Sequence, residues 1–380
     1  MLFILLSITA AFWMLVALDT YRGLRELPAL ESEPPLTSGG KVSVIIAARN
    51  EEDTIEKSVL SQLNTTYDPV EWILVNDRST DRTGEIMENL ALKDRRIQVI
   101  HISSLPAGWL GKNHALHTGA KRASGDLLLF TDADIQYEPD LLAKAVAYFK
   151  RMKLDHLTVS PDLQANSFLL QGFIAFFLFG FSYYKRPWSA NRDHSKSGMG
   201  IGAFNMISPD AYAKIGGHKA IRSRPDDDLQ LGMQIKRKRL RQRMATARKM
   251  LRVEWYPSLQ EAIKGLEKNA FAGLHYSYLF VFAAMTGVFI SQLLPFVALF
   301  FAEGSTLLMS WIAIGAIMSV YIPLTARLTN FNGWHALIFP VSVSLFIYAI
   351  LRAAVLTAVR GGVQWRGTLY PLKELKKRTR

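Results

Sequence analysis

Acidic residues at the ends of two apolar stretches have the spacing to bind a metal ion and phosphate groups. Asp77 ends the stretch that begins at Glu71, and the pair Asp132 and Asp134 ends the stretch that begins at Asp126. Carboxylates at the ends of parallel strands border the ligand crevice of an open sheet. An Asp-x-Asp pair suits a hard divalent cation that also carries substrate phosphates. Asp77 could contact a base or a ribose, although an Asx-turn would also explain it.

A third acidic group lies far along the chain, where Asp226, Asp227 and Asp228 precede a predicted helix from Asp228 to about Lys238. Capping of that helix is one explanation, but three consecutive acids exceed what capping needs. A carboxylate of this run could act as a general base that takes the proton of an acceptor hydroxyl.

Two further segments carry polar groups that could bind a nucleotide. Segment 47–52 leaves the first predicted strand, and its members Ala48, Asn50 and Glu52 are candidates to contact the base or ribose of a donor. Capping of the next helix by Asn50 is the alternative explanation. Lys112, in the glycine-containing loop 108–112, could reach a phosphate.

The composition limits the class of protein. The chain has 380 residues, no cysteine and a formal net charge of +13, so disulfides and cysteine-based metal sites or nucleophiles are excluded. Hydrophobic residues make up 49% of the chain and are concentrated toward its ends, which is typical of membrane segments. The positive charge therefore favours lipid headgroups and diphosphates as partners, and we expect no nucleic-acid partner.

The middle of the chain alternates apolar strands with helical segments. Strands are predicted at residues 42–47, 72–75, 97–102, 127–130 and 157–160. This alternation is typical of βαβ units. The sequence therefore predicts an α/β fold with a mostly parallel, nucleotide-binding sheet.

Apolar segments frame this region. Residues 2–18 predict a signal anchor rather than a cleaved signal peptide, and the segment 168–184 predicts an interfacial or core helix because it is short for a full span. Three later segments, at about 276–301, 307–326 and 335–359, are each long enough to cross a bilayer. We expect the following organisation: a transmembrane anchor at 1–21, a linker at 22–40, a catalytic domain at 41–273, a membrane region of two to three helices at 274–360 and a basic tail at 361–380.

The charges bear on the membrane topology. Arg22 and Arg25 follow the anchor and favour a cytoplasmic catalytic domain, and the basic tail should also stay inside. Three full spans would place the tail outside, so one segment need not cross. The segment 335–359 is the best candidate, because Pro340 interrupts it and Arg352 lies within it.

The order of these motifs resembles that of family 2 glycosyltransferases. The resemblance covers about residues 42–273 and rests on segments 44–52, 75–77, 108–112, 131–134, 216–218 and 227–232. It is closest to membrane-bound members that modify lipids, such as ceramide glucosyltransferases and hopanoid- or carotenoid-associated bacterial enzymes, and Trp365-Arg366-Gly367 fits them too. The Gln/Arg-x-x-Arg-Trp motif of ceramide-type and processive members does not occur in 260–269.

The resemblance implies a glycosyltransferase A-type, single Rossmann-like domain that moves one sugar, with inversion, from a nucleotide-sugar to a membrane lipid. A UDP-sugar is the favoured donor. By this resemblance Asp132 and Asp134 hold Mg²⁺ or Mn²⁺, Asp77 contacts the base or ribose, and Asp228 is the general base with Asp227 in support. Asp226 has no assigned role. The resemblance also implies a multi-pass protein of a bacterial-type inner (cell) membrane.

Alternative functions stay open. The chain could be a glycosyltransferase that resembles polysaccharide synthases, or a catalytically inactive membrane scaffold. A nucleotidyltransferase on a related sheet is a further alternative, but segment 47–52 has no glycine, which the phosphate-cradling loop of such enzymes needs.

Overall fold

The computed structural model describes residues 1–273, 277–365 and 368–371, which form two compact units. The sheet unit comprises Arg25–Asp162 and Pro187–Val253. The helical unit comprises the described residues within Met1–Leu24, Leu163–Arg186 and Glu254–Arg380.

Strands and helices alternate in the sheet unit, as the sequence predicts. Its strands are β1 (Val42–Ala48), β2 (Val70–Asp77), β3 (Ile97–Ile102), β4 (Leu127–Thr131), β5 (Gln136–Tyr137), β6 (His156–Ser160), β7 (Asp162–Gln164), β8 (Asn205–Ile207), β9 (Gln242–Thr246) and β10 (Leu251–Glu254), of which β7 and β10 run past the boundaries of the unit. Its helices are α2 (Ile55–Leu63), α3 (Thr83–Lys93), α4 (Gly111–Arg122), α5 (Leu141–Arg151), α7 (Pro209–Lys214), α8 (Gly217–Ala220) and α9 (Asp227–Arg237), with short 3₁₀ turns at Leu30–Ser32 and Pro187–Asn191.

The main sheet has seven strands in the order β3-β2-β1-β4-β8-β6-β9. Its strand pairs are parallel except those made by β8, which runs antiparallel to β4 and β6. Ala48 pairs with Asn76 and Ile46 with Thr131, so β1, β2 and β4 end at the same edge. This edge receives Asp77 and Asp132, and the predicted mostly parallel α/β sheet is confirmed.

One face of this sheet is covered by α4 and α9. Ile45, Ile73 and Phe130 of the strands form a buried cluster with Leu116 of α4 and Leu231 of α9. Burying each such side chain contributes about 1.5–3 kcal/mol. The packing therefore holds the N-termini of both helices near the edge where β4 ends.

The first loop of the sheet unit differs from the prediction. Helix α2 begins at Ile55, and Asn50 does not cap it; instead Asn50 has a left-handed φ of 55°. Its Oδ1 accepts a hydrogen bond of 2.8 Å from the backbone N–H of Thr80. Asparagine tolerates this backbone region better than most residues, which lets the β1–α2 loop bind the β2–α3 loop.

Long apolar helices dominate the helical unit. They are α1 (Leu2–Arg25), α6 (Phe168–Lys185), α10 (Leu259–Gly273), α11 (Tyr278–Val288), α12 (Leu294–Ala298), α13 (Gly304–Leu328) and α14 (Phe339–Arg360), with a π-helical turn at Phe289–Leu293 between α11 and α12 and a 3₁₀ turn at Trp334–Ile338 before α14. Strands β11 (Gly362–Trp365) and β12 (Thr368–Pro371) form a hairpin.

Among the described residues, five helical segments are long and apolar enough to cross a membrane: Leu2–Arg25, Phe168–Lys185, Tyr278–Ala298, Gly304–Leu328 and Trp334–Arg360. Four of them lie where the sequence predicts apolar spans. The segment Phe168–Lys185 meets the same length and composition criterion, although the sequence favours an interfacial or core helix there. Arg366, Gly367 and residues 372–380 lie outside the described residues, and with them part of the Trp365-Arg366-Gly367 motif and much of the basic tail.

Aromatic side chains join α1 to α6 within the helical unit. The ring of Trp13 stacks on that of Phe179 with centroids 5.1 Å apart, and its Nε1 donates to the carbonyl oxygen of Ser291 at 2.8 Å. Near the other end of α1, Arg186 forms an ion pair with Asp19. The N-terminal helix is therefore an integrated part of the helical unit.

Candidate active site

A small pocket in the sheet unit gathers residues from five parts of the chain. It is lined by the end of β4 and the first turns of α4 and α9, with Lys112, Asp132, Gly202, His218, Asp227 and Asp228 among its residues. The structure thus brings together Lys112, Asp132, Asp227 and Asp228, which the sequence names as candidates but cannot connect.

Lys112 lies between two of the acidic groups. Its Nζ is 2.7 Å from Oδ1 of Asp132 and 3.6 Å from Oδ2 of Asp227. Although burial opposes the charged form, the carboxylates of Asp132, Asp227 and Asp228 raise the pKa of Lys112 well above its usual value. The ammonium is therefore a permanent positive charge within the pocket.

Asp228 is held by two backbone amides. Its Oδ2 accepts a hydrogen bond of 2.9 Å from the backbone N–H of Gly202. Its Oδ1 accepts a hydrogen bond of 2.7 Å from the backbone N–H of the next residue, Leu229. Both bonds fix the carboxylate at the first turn of α9, where the helix dipole also favours a negative charge.

A glycine-rich segment makes this arrangement possible. A Cβ on Gly200 would lie 1.8 Å from the carbonyl oxygen of Asp228, and one on Gly198 would lie 2.2 Å from that of Gly232. The segment therefore packs backbone to backbone against the start of α9. No role for this segment was predicted from the sequence. The alternating glycines at positions 198, 200 and 202 are the sequence feature that indicates such close packing.

Both acids at the start of α9 have a pKa above the usual range of an aspartate. Burial raises the pKa of Asp227 to about 7, with Lys112 opposing the shift and the neighbouring Asp228 adding to it. Burial also raises the pKa of Asp228, again against Lys112. A raised pKa makes a carboxylate a stronger base, which suits the removal of a hydroxyl proton.

Asp134 and Asp132 form a carboxylate pair with the chemistry of a metal site. Burial and the charge of Asp132 raise the pKa of Asp134 to about 7, so a cation would relieve the repulsion between them. In the described part of the chain, no group of three or more His, Asp and Glu side chains is arranged to hold a metal. Magnesium commonly binds one or two carboxylates together with substrate phosphates, and the pair fits a cation shared in that way.

Asp77 lies at the predicted strand end but is covered. Its side chain is 5% exposed, and Oδ1 accepts from Nε of Arg78 at 2.8 Å. A Cβ on Gly111 would lie 2.1 Å from Oδ2 of Asp77, so the carboxylate faces the start of α4. Contact with a base or ribose requires Arg78 to move, and remains a prediction.

The other donor-binding candidates lie in the loops at the same edge. Ala48 is buried at the end of β1. The Asn50 side chain accepts from the backbone of Thr80, and Oε2 of Glu52 accepts from the N–H of Arg82 at 3.0 Å. The structure therefore shows Asn50 and Glu52 fastening two loops, and their contact with a donor remains a prediction.

Asp226 has a structural explanation. Its Oδ1 accepts from Nε of Arg224 at 3.0 Å, and its Oδ2 accepts from Nε2 of Gln230 at 2.8 Å. Despite burial, these hydrogen bonds lower the pKa of Asp226 below its usual value. The Asp226 side chain thus stabilises the start of α9. Asp227 and Asp228 line the pocket.

His218 is a pocket residue to which the sequence analysis gave no role. The hydroxyl of Tyr212 accepts from the His218 backbone N–H at 3.1 Å and lies 2.8 Å from its Nδ1. Burial, with Lys112 next in effect, lowers the pKa of His218 to about 3. If Tyr212 donates to Nδ1, the neutral ring keeps its proton on Nε2 and can donate it to a substrate oxygen.

Part of this chain is similar in sequence to known glycosyltransferases. Residues 43–216 match the family model of glycosyl transferase family 2. The beta-monoglucosyldiacylglycerol synthase of Synechocystis is 33% identical over 147 residues, which are 36% of this chain and 30% of that protein. The 4,4'-diaponeurosporenoate glycosyltransferase of Staphylococcus haemolyticus is 31% identical over 122 residues, 32% of each chain. The chain thus covers about a third of the length of these two relatives.

A solved structure shares the fold. The mannosyltransferase PcManGT of Pyrobaculum calidifontis, in complex with GDP-Man and Mn²⁺, superposes with a TM-score of 0.51 at 15% identity, over 94% of this chain and 99% of that one. The likeness confirms the glycosyltransferase A-type sheet with apolar helices at both ends of the chain. Residues 43–216 thus match a glycosyl transferase family 2 domain, and the solved structure shares the fold.

Proposed function

We propose that this protein is an inverting glycosyltransferase that moves one sugar from a nucleotide-sugar to a membrane lipid. The observation that carries the proposal is the pocket in which Asp228, held by the Gly202 amide at 2.9 Å, faces the Lys112–Asp132 ion pair of 2.7 Å. A base and a charged diphosphate site side by side are what displacement of a nucleoside diphosphate needs.

Asp228 acts as the base in this proposal. Its carboxylate takes the proton of the acceptor hydroxyl while the oxygen attacks the anomeric carbon from the face opposite the diphosphate. The new carbon–oxygen bond forms as the bond to the diphosphate breaks, which inverts the anomeric configuration. Burial and the charge of Asp132 raise the pKa of Asp228, and we assign the buried neighbour Asp227 to support the base.

Lys112, Asp132 and Asp134 serve the diphosphate. Asp132 and Asp134 would hold a Mg²⁺ or Mn²⁺ ion, which when bound supplies positive charge to the leaving group. Lys112 adds the second positive charge. Asp77, Ala48, Asn50 and Glu52 lie at the ends of β1 and β2 and their loops, and we assign them to the base and ribose, preferably of a UDP-sugar.

A lipid is the acceptor that the relatives favour. The Synechocystis relative is named a beta-monoglucosyldiacylglycerol synthase, and the staphylococcal relative a 4,4'-diaponeurosporenoate glycosyltransferase. In the part of the chain that the structure describes, five helical segments have the length and composition of membrane spans. We therefore place the protein in a bacterial-type inner membrane as a multi-pass protein with its catalytic domain on the cytoplasmic side.

A donor and acceptor panel tests the proposal. The purified full chain in detergent, with Mn²⁺ and a bacterial lipid extract, is incubated with UDP-glucose, UDP-N-acetylglucosamine, UDP-galactose or GDP-mannose. We expect one donor to release its nucleotide and to label one lipid class, with the sugar's anomeric configuration inverted. An inactive scaffold would release nucleotide from none of them, whereas retention of configuration would contradict the inverting mechanism.

A further inference from the structure

Lys112 occupies an unusual position for a lysine. It is the second residue of α4, which begins at Gly111, and the positive end of a helix dipole disfavours a cation there. The same helix ends with Lys121 and Arg122 in its last turn, where the dipole favours them. A residue that breaks a local rule in this way is expected to have a function that compensates for the cost.

The compensation comes from the acidic pocket. The Lys112 ammonium is within 2.7 Å of Asp132 and 3.6 Å of Asp227, and Asp228 adds a further attraction. One ammonium is thus attracted by the carboxyl groups of Asp132, Asp227 and Asp228. Asp132 is therefore both the ion-pair partner of Lys112 and a proposed ligand of the metal.

An ammonium and a divalent cation compete for the same carboxylate. Two cations within about 4 Å of each other repel by several kcal/mol even at an effective dielectric constant of about 20. A metal that binds Asp132 must therefore overcome the charge of Lys112 unless the ammonium gains another anionic partner. The phosphate oxygens of a nucleoside diphosphate are such a partner, because lysine binds phosphate as a point charge.

We propose that Lys112 makes metal binding depend on the nucleotide: it competes with the divalent cation for Asp132, and the site takes up the metal only together with a nucleoside diphosphate. This inference rests on the proposed function for the identity of the ligands. It predicts that metal and nucleotide bind with strong positive coupling, and that the coupling is lost when the charge of Lys112 is removed.

The test measures Mn²⁺ binding rather than catalysis. The full chain in detergent is titrated with Mn²⁺ alone and with Mn²⁺ in the presence of UDP, and free Mn²⁺ is followed by electron paramagnetic resonance. For the unsubstituted protein we expect at least a tenfold tighter Mn²⁺ affinity with UDP than without it. Equal affinity in both titrations would overturn the proposal without any variant.

Two substitutions at position 112 separate charge from shape. Lys112→Met removes the charge, and we expect it to bind Mn²⁺ without UDP about tenfold more tightly than the unsubstituted protein. Lys112→Arg keeps the charge and should resemble the unsubstituted protein. Lys121→Met, on the same helix and exposed, is the matched control and should change nothing.

The outcomes distinguish this proposal from the proposed function. If Lys112→Met binds Mn²⁺ alone no more tightly than Lys121→Met, the competition is wrong even if sugar transfer is observed. If Lys112→Met gains Mn²⁺ affinity but no nucleotide-sugar is turned over, the competition holds and the proposed function fails. A circular dichroism spectrum like that of the unsubstituted protein verifies that each variant is folded.

Discussion

Gly202 and Asp228 are joined by a hydrogen bond of 2.9 Å from the glycine N–H to Oδ2 of the aspartate. A Cβ on the same glycine would lie 2.3 Å from Oδ2 of Asp132. One backbone position thus holds the proposed base beside a proposed metal ligand. Only a residue without a side chain permits both contacts at once.

Gly202→Ala should therefore lower the turnover of sugar transfer at least about tenfold, because the added methyl group displaces Asp132 or the Gly202 amide. The measurement is the initial rate of nucleotide release with the donor found active. Gly180→Ala is the control, since outside the adjacent residues and the local helix backbone no heavy atom lies within 4 Å of the added methyl group there. Equal rates for the two variants would show that the close packing at Gly202 is not needed for catalysis.

The substitutions Asp228→Asn and Asp226→Asn should affect different properties: the first should lower turnover and the second thermal stability. Loss of a general base typically reduces turnover about 10²–10⁴-fold, and we expect Asp228→Asn to fall in this range. Asp226 instead fastens Arg224 and Gln230, so Asp226→Asn should mainly lower the melting temperature. Single-turnover rates and thermal unfolding of both variants make the comparison. Near-normal turnover by folded Asp228→Asn would contradict its assignment as the base.

Asp134→Asn should remove the dependence of nucleotide binding on metal. We expect UDP to bind this variant with the same affinity in the presence and absence of Mn²⁺, because one of the two proposed ligands has lost its charge. Isothermal titration calorimetry with UDP provides the measurement. Asp210→Asn, an exposed position in the first turn of α7, is the control. An unchanged effect of Mn²⁺ on UDP affinity in Asp134→Asn would exclude Asp134 from the metal site.

His156 should make the sheet unit sensitive to acid. Burial, reinforced by Lys236, lowers the pKa of His156 from 6.5 to about 3. The unfolded chain therefore binds a proton between these values while the folded protein does not, so stability falls as the pH drops below about 6.5. At about pH 5 the loss amounts to roughly 2 kcal/mol.

Melting temperatures at about pH 7.5 and about pH 5 test this assignment. At the higher pH, His156→Gln should have a lower melting temperature than the unsubstituted protein. On acidification, however, its melting temperature should fall by less. His194→Gln, at an exposed position, should respond to acid as the unsubstituted protein does. If His156→Gln loses as much on acidification as the unsubstituted protein, the acid sensitivity has another origin.

Much of the fold was predictable because it depends on local patterns. The apolar runs that form β1, β2 and β4 are contiguous, and the strand–helix alternation leads directly to a parallel sheet. Once that sheet is accepted, Asp77 and Asp132 must lie at its carboxyl edge, and the structure places them there. The membrane-length helices are likewise a matter of uninterrupted apolar length.

Contacts between distant segments were not predictable in the same way. The capping motif at Asn50 was misinterpreted because its acceptor is satisfied by Thr80, a residue of another loop. The role of Asp226 depends on the neighbouring side chains of Arg224 and Gln230 and on where α9 begins. The local sequence does not determine which of these hydrogen bonds forms, because each carboxylate or amide group has several possible partners in the unfolded chain.

The sequence by itself determined which residues could carry out the chemistry: two strand-end acids, an acidic helix start and a lysine after a glycine loop. Only the tertiary structure decided that Lys112 faces Asp132 and Asp227 and that Gly202 holds Asp228. The physical reason is that packing of α4 and α9 on the same sheet face brings Lys112 and Asp227, more than a hundred positions apart, within ion-pair distance. The residue types and their spacing along the chain specify which chemical groups are present. Whether these groups come into contact depends on the buried surface that holds the helices in place.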